Sequence, residues 1–293
     1  MVNRMNISKH KRKETPLTIA LQRMRGSHGF VLGAIIVALM VTMAITAPLI
    51  APHNPLEYQP HIRLNPPSSQ YPFGTDGLGR DVFSRVIYGS RYSTWIGLIS
   101  ISISLVIGGT LGLISGYYVG WIDNIIMRCM DVMFAFPGIL LALFIAAILG
   151  PGLSNLMIAL GISAIPGYAR VTRSSVLSVK EKEYVEAARS IGCNDFIIIF
   201  RHILPNVVAP LIVLSTLGLG SRILSAAALS FIGLGAQPPT PEWGLMLNEG
   251  RMYLRTAWWI TTFPGLAIML TVLGLNMLGD GLRDAFDPRF VER

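Results

Sequence analysis

Residue types able to do covalent or metal chemistry are sparse in this 293-residue chain, and they do not cluster. The lysines are Lys9, Lys11, Lys13, Lys180 and Lys182. None follows a glycine, so the Gly-Lys-Ser/Thr end of a phosphate-binding loop, whose lysine reaches the phosphates, is missing. The histidines His10, His28, His53, His61 and His202 are scattered, with no His-Glu-x-x-His pair. Only His53 and His61 share a loop, and two histidines make a weak metal site. Cys129 and Cys193 lie far apart in no redox or metal spacing. No serine occupies a Gly-x-Ser-x-Gly turn. The residues imply no enzyme, no metal and no cofactor.

Two features remain. Arg222 is the single charge in an otherwise apolar run from 207 to 236. A charge at that depth of a membrane helix is costly and points to function by default. It would line a pathway and meet a substrate carboxylate, or make a structural pair with an acid such as Asp131 or one on a partner chain. The second feature is the polar stretch 180–206. Its residues fit two short helices, the first over about 182–191 with Tyr184, Ala187, Ala188 and Ile191 on one face. Gly192 suits the left-handed position that ends a helix. Asn194 or Asp195 can cap the next helix, which should run from Phe196 to Leu204 and stop before Pro205. A helix–glycine–helix unit with an apolar face needs a cover, either its own bundle or a soluble partner.

The elements that must carry these features lie in a membrane. Hydrophobic residues make up 52% of the chain and charged residues 14%, against about 25% charged in an average soluble domain. The mean hydropathy is +0.55. The net charge of +8 fits cytoplasmic loops rich in Lys and Arg better than nucleic acid, for which no footprint is present. Apolar runs at 30–50 and 94–119 are long enough to span. The run 132–169 carries no charge and is broken by Gly150-Pro151-Gly152 into two helices, the second with a kink at Pro166-Gly167. Runs at 207–236 and 256–279 complete six. The first run is too long for the apolar core of a signal peptide, so an uncleaved span is expected.

The fold class is therefore an all-α polytopic bundle of about six transmembrane helices. Lys and Arg concentrate in the tail 1–29, the loop 170–206 and the tail 283–293, which places both termini in the cytoplasm. The loop 51–93 then lies outside, and its part 81–88 reads either as an amphipathic helix on the membrane surface or as an ordinary structured loop. Residues 94–282 form a core of five spans, with the loop 180–206 inside it. Gly108, Gly109, Gly112 and Gly116 suit close helix contact.

Glu186-Ala187-Ala188, three residues, Gly192, nine residues and then Leu204-Pro205 resembles the EAA loop of bacterial ABC-importer permeases. The isoleucine usual after the nine residues is replaced here by His202, with Ile203 next. The form His202-Ile203-Leu204-Pro205-Asn206 is similar to the dipeptide/oligopeptide/nickel branch. Phe73-Gly74-Thr75-Asp76-Gly77-Leu78-Gly79-Arg80-Asp81-Val82 resembles the outer-loop signature of that branch's C-type permease. Leu229 to Gly235, Gln237 to Gly244, Leu278 to Asp284 and Asp287-Pro288 agree with it.

The resemblance implies a type I importer permease in a bacterial inner membrane, forming half of a pathway with a second permease subunit. Two ATPase subunits would bind at the cytoplasmic face and a substrate-binding protein outside. Dipeptides or oligopeptides are the leading cargo, with nickel, glutathione or another small solute as alternatives. Glu186, Ala187, Ala188, Gly192, Leu204 and Pro205 would couple to the ATPase. The two alanines would allow close approach, and Glu186 would pair with an ATPase arginine or cap its own helix. The resemblance assigns Arg222 no role. A secondary transporter without ATPases needs inverted repeats or polar residues within the spans, and neither stands out.

Overall fold

A computed structural model of the chain describes residue 24 and residues 26–286. The basic stretch before residue 24, most of the tail 283–293 and the motif Asp287-Pro288 lie outside the described residues. The elements are α1 (His28–Ile50), α2 (Val82–Tyr118), α3 (Gly120–Phe134), α4 (Gly138–Leu149), α5 (Leu153–Lys180), α6 (Glu183–Ser190), α7 (Asp195–Phe231), α8 (Trp243–Gly250) and α9 (Trp259–Phe286). Two short 3₁₀ turns, Pro60–Ile62 and Arg251–Tyr253, sit in the connections.

Local signals start these helices. The Ser27 hydroxyl accepts the Phe30 N–H at α1, and the Asp81 carboxylate accepts the Phe83 and Ser84 N–H groups at α2. Glu242 does the same at α8 for Gly244 and Leu245. Burial pushes the Glu242 carboxyl above its usual range, and those backbone bonds and Ser230 work against that push.

Six helical passages run between two poles. The first pole holds 51–81, the 150–152 turn and α8. The second holds α6 and both ends of the described chain. By length and composition α1, α2, α7 and α9 can each cross a membrane, and the bent pair α3/α4 makes a fifth candidate. The 28-residue α5 is long enough too, but Asn155, Arg170 and Arg173 lower its hydropathy. It sits in the middle of the bundle.

Three expectations change. The stretch 81–88 is neither a surface helix nor a loop: it is the first turns of the 37-residue α2, with Val82, Arg85, Val86 and Ile87 buried. The third passage is not one straight helix. It bends by 89° between α3 and α4, because Pro137 disfavours a helical Phe136 and lacks the N–H to continue. The helix entering from the second pole does not stop before Pro205. It runs on as α7, through the π-helical turn Ile198–Ile203 into Leu204–Phe231. There the Leu204 N–H bonds Ile199 O, five residues back. The extra residue in that turn widens the helix just where the proline ring would meet the preceding turn's carbonyl.

The central seam is α2 against α5. A Cβ on Gly108 would lie 2.6 Å from Ile165 O, one on Gly116 would lie 2.8 Å from Val176 Cβ, and one on Gly112 would overlap Ala169 O. These three glycines let the two helices touch backbone to backbone. Gly109 faces open space, so it takes no part in the contact. Ser104 Oγ crosses the seam to Gly161 O at 2.7 Å.

The first pole is held by buried charge. Arg80 Nε bonds Asp76 Oδ2 at 2.6 Å and its Nη2 bonds Glu249 Oε2 at 2.8 Å. Arg85 Nη2 reaches the same Glu249 oxygen at 3.0 Å, and its Nε lies 3.6 Å from Asp76. Two cations and two anions thus alternate around one centre that ties 76–81, α2 and α8 together. Gly79, at φ +77, lets this loop turn where any Cβ would strike Gln59 O.

Candidate functional site

The second pole carries the 181–206 corner. Helix α6 has Glu183 and Glu186 near its start and Arg189 near its end, the favourable order for its dipole. It ends as the glycine spacing predicts. Gly192 has φ +83, its N–H bonds Arg189 O at 3.0 Å, and the Cys193 N–H bonds Ala188 O at 3.1 Å. This pair of bonds is the Schellman closure, which requires a left-handed residue at that position. Asn194 then caps the next turn, its Oδ1 accepting the Ile197 N–H at 2.9 Å.

The face of α6 turned to the bundle carries Val185 and Ala188. Both are buried with Tyr117, Val176, Ile198, Ile203, Val207 and Leu211. Ala188 therefore does not face a partner as expected; only Ala187 of the pair is exposed. The outward face carries Tyr184, Glu186, Ala187 and Ile191, and the start of α7 continues it with Phe196, Ile197 and Phe200. Ile191 is 81% exposed and Phe196 68% exposed. Phe196 and Phe200 rings lie 4.4 Å apart. Among the described residues Glu186 makes no ion pair and no capping bond through its side chain, so its carboxylate points out unpartnered. Leu204 lines an apolar groove of about 590 Å³ between α2 and α7, and Pro205 is exposed beside it.

Tyr117, unforeseen from the sequence, anchors the corner. Its hydroxyl donates to Asp195 Oδ1 at 2.5 Å, and its carbonyl accepts from Lys180 Nζ at 2.5 Å. The end of α2 thereby holds both the end of α5 and the start of α7. Tyr117→Phe is expected to speed amide exchange over 183–200 on the order of fivefold, the scale of one lost hydrogen bond. Hydrogen-exchange mass spectrometry reads this, and α2 and α5 should stay protected. Equal exchange in both proteins would contradict the anchoring role.

Arg222 lies on the other half of α7. Its Nη1 donates to Leu160 O and Ser163 Oγ, both at 3.4 Å. Asp131 is not its partner, because Asp131 accepts from Arg170 at 2.6 Å. Nearby, Arg173 grips Asp123 with two bonds of 2.6 Å, joining α3 to α5. Glu186, Ala187 and Ala188 on α6, Gly192 in the turn, and Leu204 and Pro205 on the first half of α7 thus lie apart from Arg222 on the second half of α7.

Residues 108–292 match the model of the binding-protein-dependent transport system inner membrane component. Residues 15–67 match that of the N-terminal transmembrane domain of oligopeptide transport permease C. The chain belongs to this transport family. It is a multi-pass permease subunit of an ATP-driven, binding-protein-dependent importer, and its likeness to the C-type permeases extends to both regions. The dipeptide transport system permease protein DppC of Alkalihalophilus pseudofirmus is 49% identical, over 94% of this chain and 90% of its own length. The glutathione transport system permease protein GsiD of Pectobacterium atrosepticum is 47% identical over 99% and 96%. The same protein of Escherichia coli O157:H7 is 48% identical over 99% and 96%. Among solved structures, inward-facing MetNI methionine ABC transporters share the fold. One has TM-score 0.56 at 18% identity, covering 69% of this chain and 97% of that one. Permeases of this family work with ATPase subunits and a substrate-binding protein.

Proposed function

We propose that this chain forms one half of the translocation pathway of a small-peptide importer, with its second pole in the cytoplasm against an ATPase subunit. The observation that carries this is the outward face of the corner: Tyr184, Ile191, Phe196 and Phe200 exposed beside an unpartnered Glu186. A fold gains nothing from leaving such a patch in water, and one of this kind rimmed by charge marks a protein interface. The Schellman turn and the Tyr117 anchor make the corner rigid, so force on it moves α5 and α7 together. The Lys and Arg excess of 1–29 and 170–206 supports the cytoplasmic assignment of this pole. A second permease chain completes the pathway, and a binding protein delivers cargo at the first pole.

Dipeptides lead as cargo from the likeness to the dipeptide permease. Glutathione, itself a small peptide, is the second reading, favoured by the nearly complete coverage of its permease. The test is ATPase activity and uptake by the reconstituted complex with loaded binding protein. Ile191→Glu and Phe196→Glu should each cut substrate-stimulated hydrolysis about tenfold or more, as loss of a central interface contact does. Wild-type stimulation in both variants would refute the docking face. Stimulation by loaded glutathione but not dipeptide would reassign the cargo.

A further inference from the structure

Arg222 sits about 26 Å along α7 from Pro205 and about 14 Å from Phe231, taking 1.5 Å per residue. It is therefore well inside the membrane-spanning part, where an uncompensated charge is expensive. Its surroundings on the protein side are polar but uncharged. Ser163 donates its hydroxyl to Leu160 O at 3.0 Å, which leaves the Ser163 oxygen free to accept from Arg222. Down the same α5/α7 seam, Tyr168 Oη donates to Ser215 Oγ at 3.2 Å. Gly218, one turn before Arg222, adds no side chain between them.

The guanidinium is half-buried and held only through Nη1, by two bonds at the long limit. Among the described residues no acid pairs with it, and Nε and Nη2 have no bond. No buried side-chain nitrogen or oxygen in the described residues is left without a partner. Nε and Nη2, without a bond, are therefore not sealed within the described residues. The parallel N–H groups on that edge of a guanidinium match the two oxygens of a carboxylate.

We infer that Arg222 is a binding site for a carboxylate of the transported solute, and that it makes a free carboxylate a condition of efficient passage. This rests on the small-peptide importer reading. Ser163 and Leu160 O act as positioning groups that hold the fork loosely, so that an entering carboxylate can take over Nε and Nη2.

The test uses the complete complex in proteoliposomes with binding protein saturated by alanyl-alanine or by its C-terminal amide, saturation being checked separately for each. Wild type should import the free acid about tenfold faster than the amide, the scale of one charge-assisted hydrogen bond. Arg222→Gln should lower the free-acid rate about tenfold and the amide rate far less, so that the preference for the free acid is lost. Arg222→Lys should keep part of the preference. Equal loss of both peptides in Arg222→Gln, no loss of either, or failure of Arg222→Gln alone to co-purify with the second permease chain would overturn the inference. The last result would mean that the charge pairs with that chain. Import of neither peptide by wild type would overturn the peptide reading itself, and differs in that the wild type is silent rather than the variant.

Discussion

Glu249→Ala is expected to lower the thermal midpoint of the purified complex on the order of 10 °C. Glu249 Oε2 is the shared acceptor of Arg80 and Arg85, both of which are almost wholly buried. Truncation leaves Asp76 as the only anion for two guanidinium groups. Removing one partner of a buried ion pair costs about 3–5 kcal/mol, because the remaining charge keeps its desolvation penalty. The added variant Arg85→Met separates this cause from a packing defect. In the double variant one cation faces one anion, the Arg80–Asp76 pair at 2.6 Å, and part of the stability should return. A shift below about 2 °C for Glu249→Ala would show that solvent reaches the cluster and screens it. No recovery in the double variant would show that the loss is one of packing.

Gly112→Leu is expected to abolish recovery of folded protein, whereas Gly109→Leu should be tolerated. The two residues are three positions apart on α2. A side chain on Gly112 must enter the backbone of Ala169 and the side chain of Thr172, while Gly109 meets nothing within 4 Å. Overpacking a close seam costs about 1–3 kcal/mol when neighbours can shift. Here the neighbour is a helix carbonyl, which cannot. Size-exclusion profiles in mild detergent distinguish the two, and a monodisperse Gly112→Leu would mean that α2 and α5 separate more easily than their contact implies.

The helical passages were legible because their signals are local. Apolar runs of the right length and the breaker Gly150-Pro151-Gly152 lie within a few residues of what they determine. The same holds for the corner at the second pole, where Gly192 and Asn194 act on their own neighbours. What stayed hidden depends on distant residues. The charges Arg85 and Arg91 look like the end of a span, yet α2 runs through both from its Asp81 cap, and Glu249, 164 positions from Arg85, neutralises the buried one. Helix α6 has two apolar strips, Val185/Ala188 and Tyr184/Ala187/Ile191. Which one turns inward is decided by Val176, Ile198 and Ile203. The passage of α7 through Pro205 needs an inserted residue that no single side chain announces. The weak tether of Arg222 to Ser163 and Leu160 O likewise joins positions about 60 residues apart.

On the proposed docking, the outward face of α6 and the start of α7 are covered by an ATPase subunit. Hydrogen exchange over 183–200, in the permease pair alone and after addition of the ATPase subunits, tests it most directly. Added ATPase should slow exchange in this segment and leave 51–81 unchanged. Full assembly of the complex with no added protection in 183–200 would contradict it.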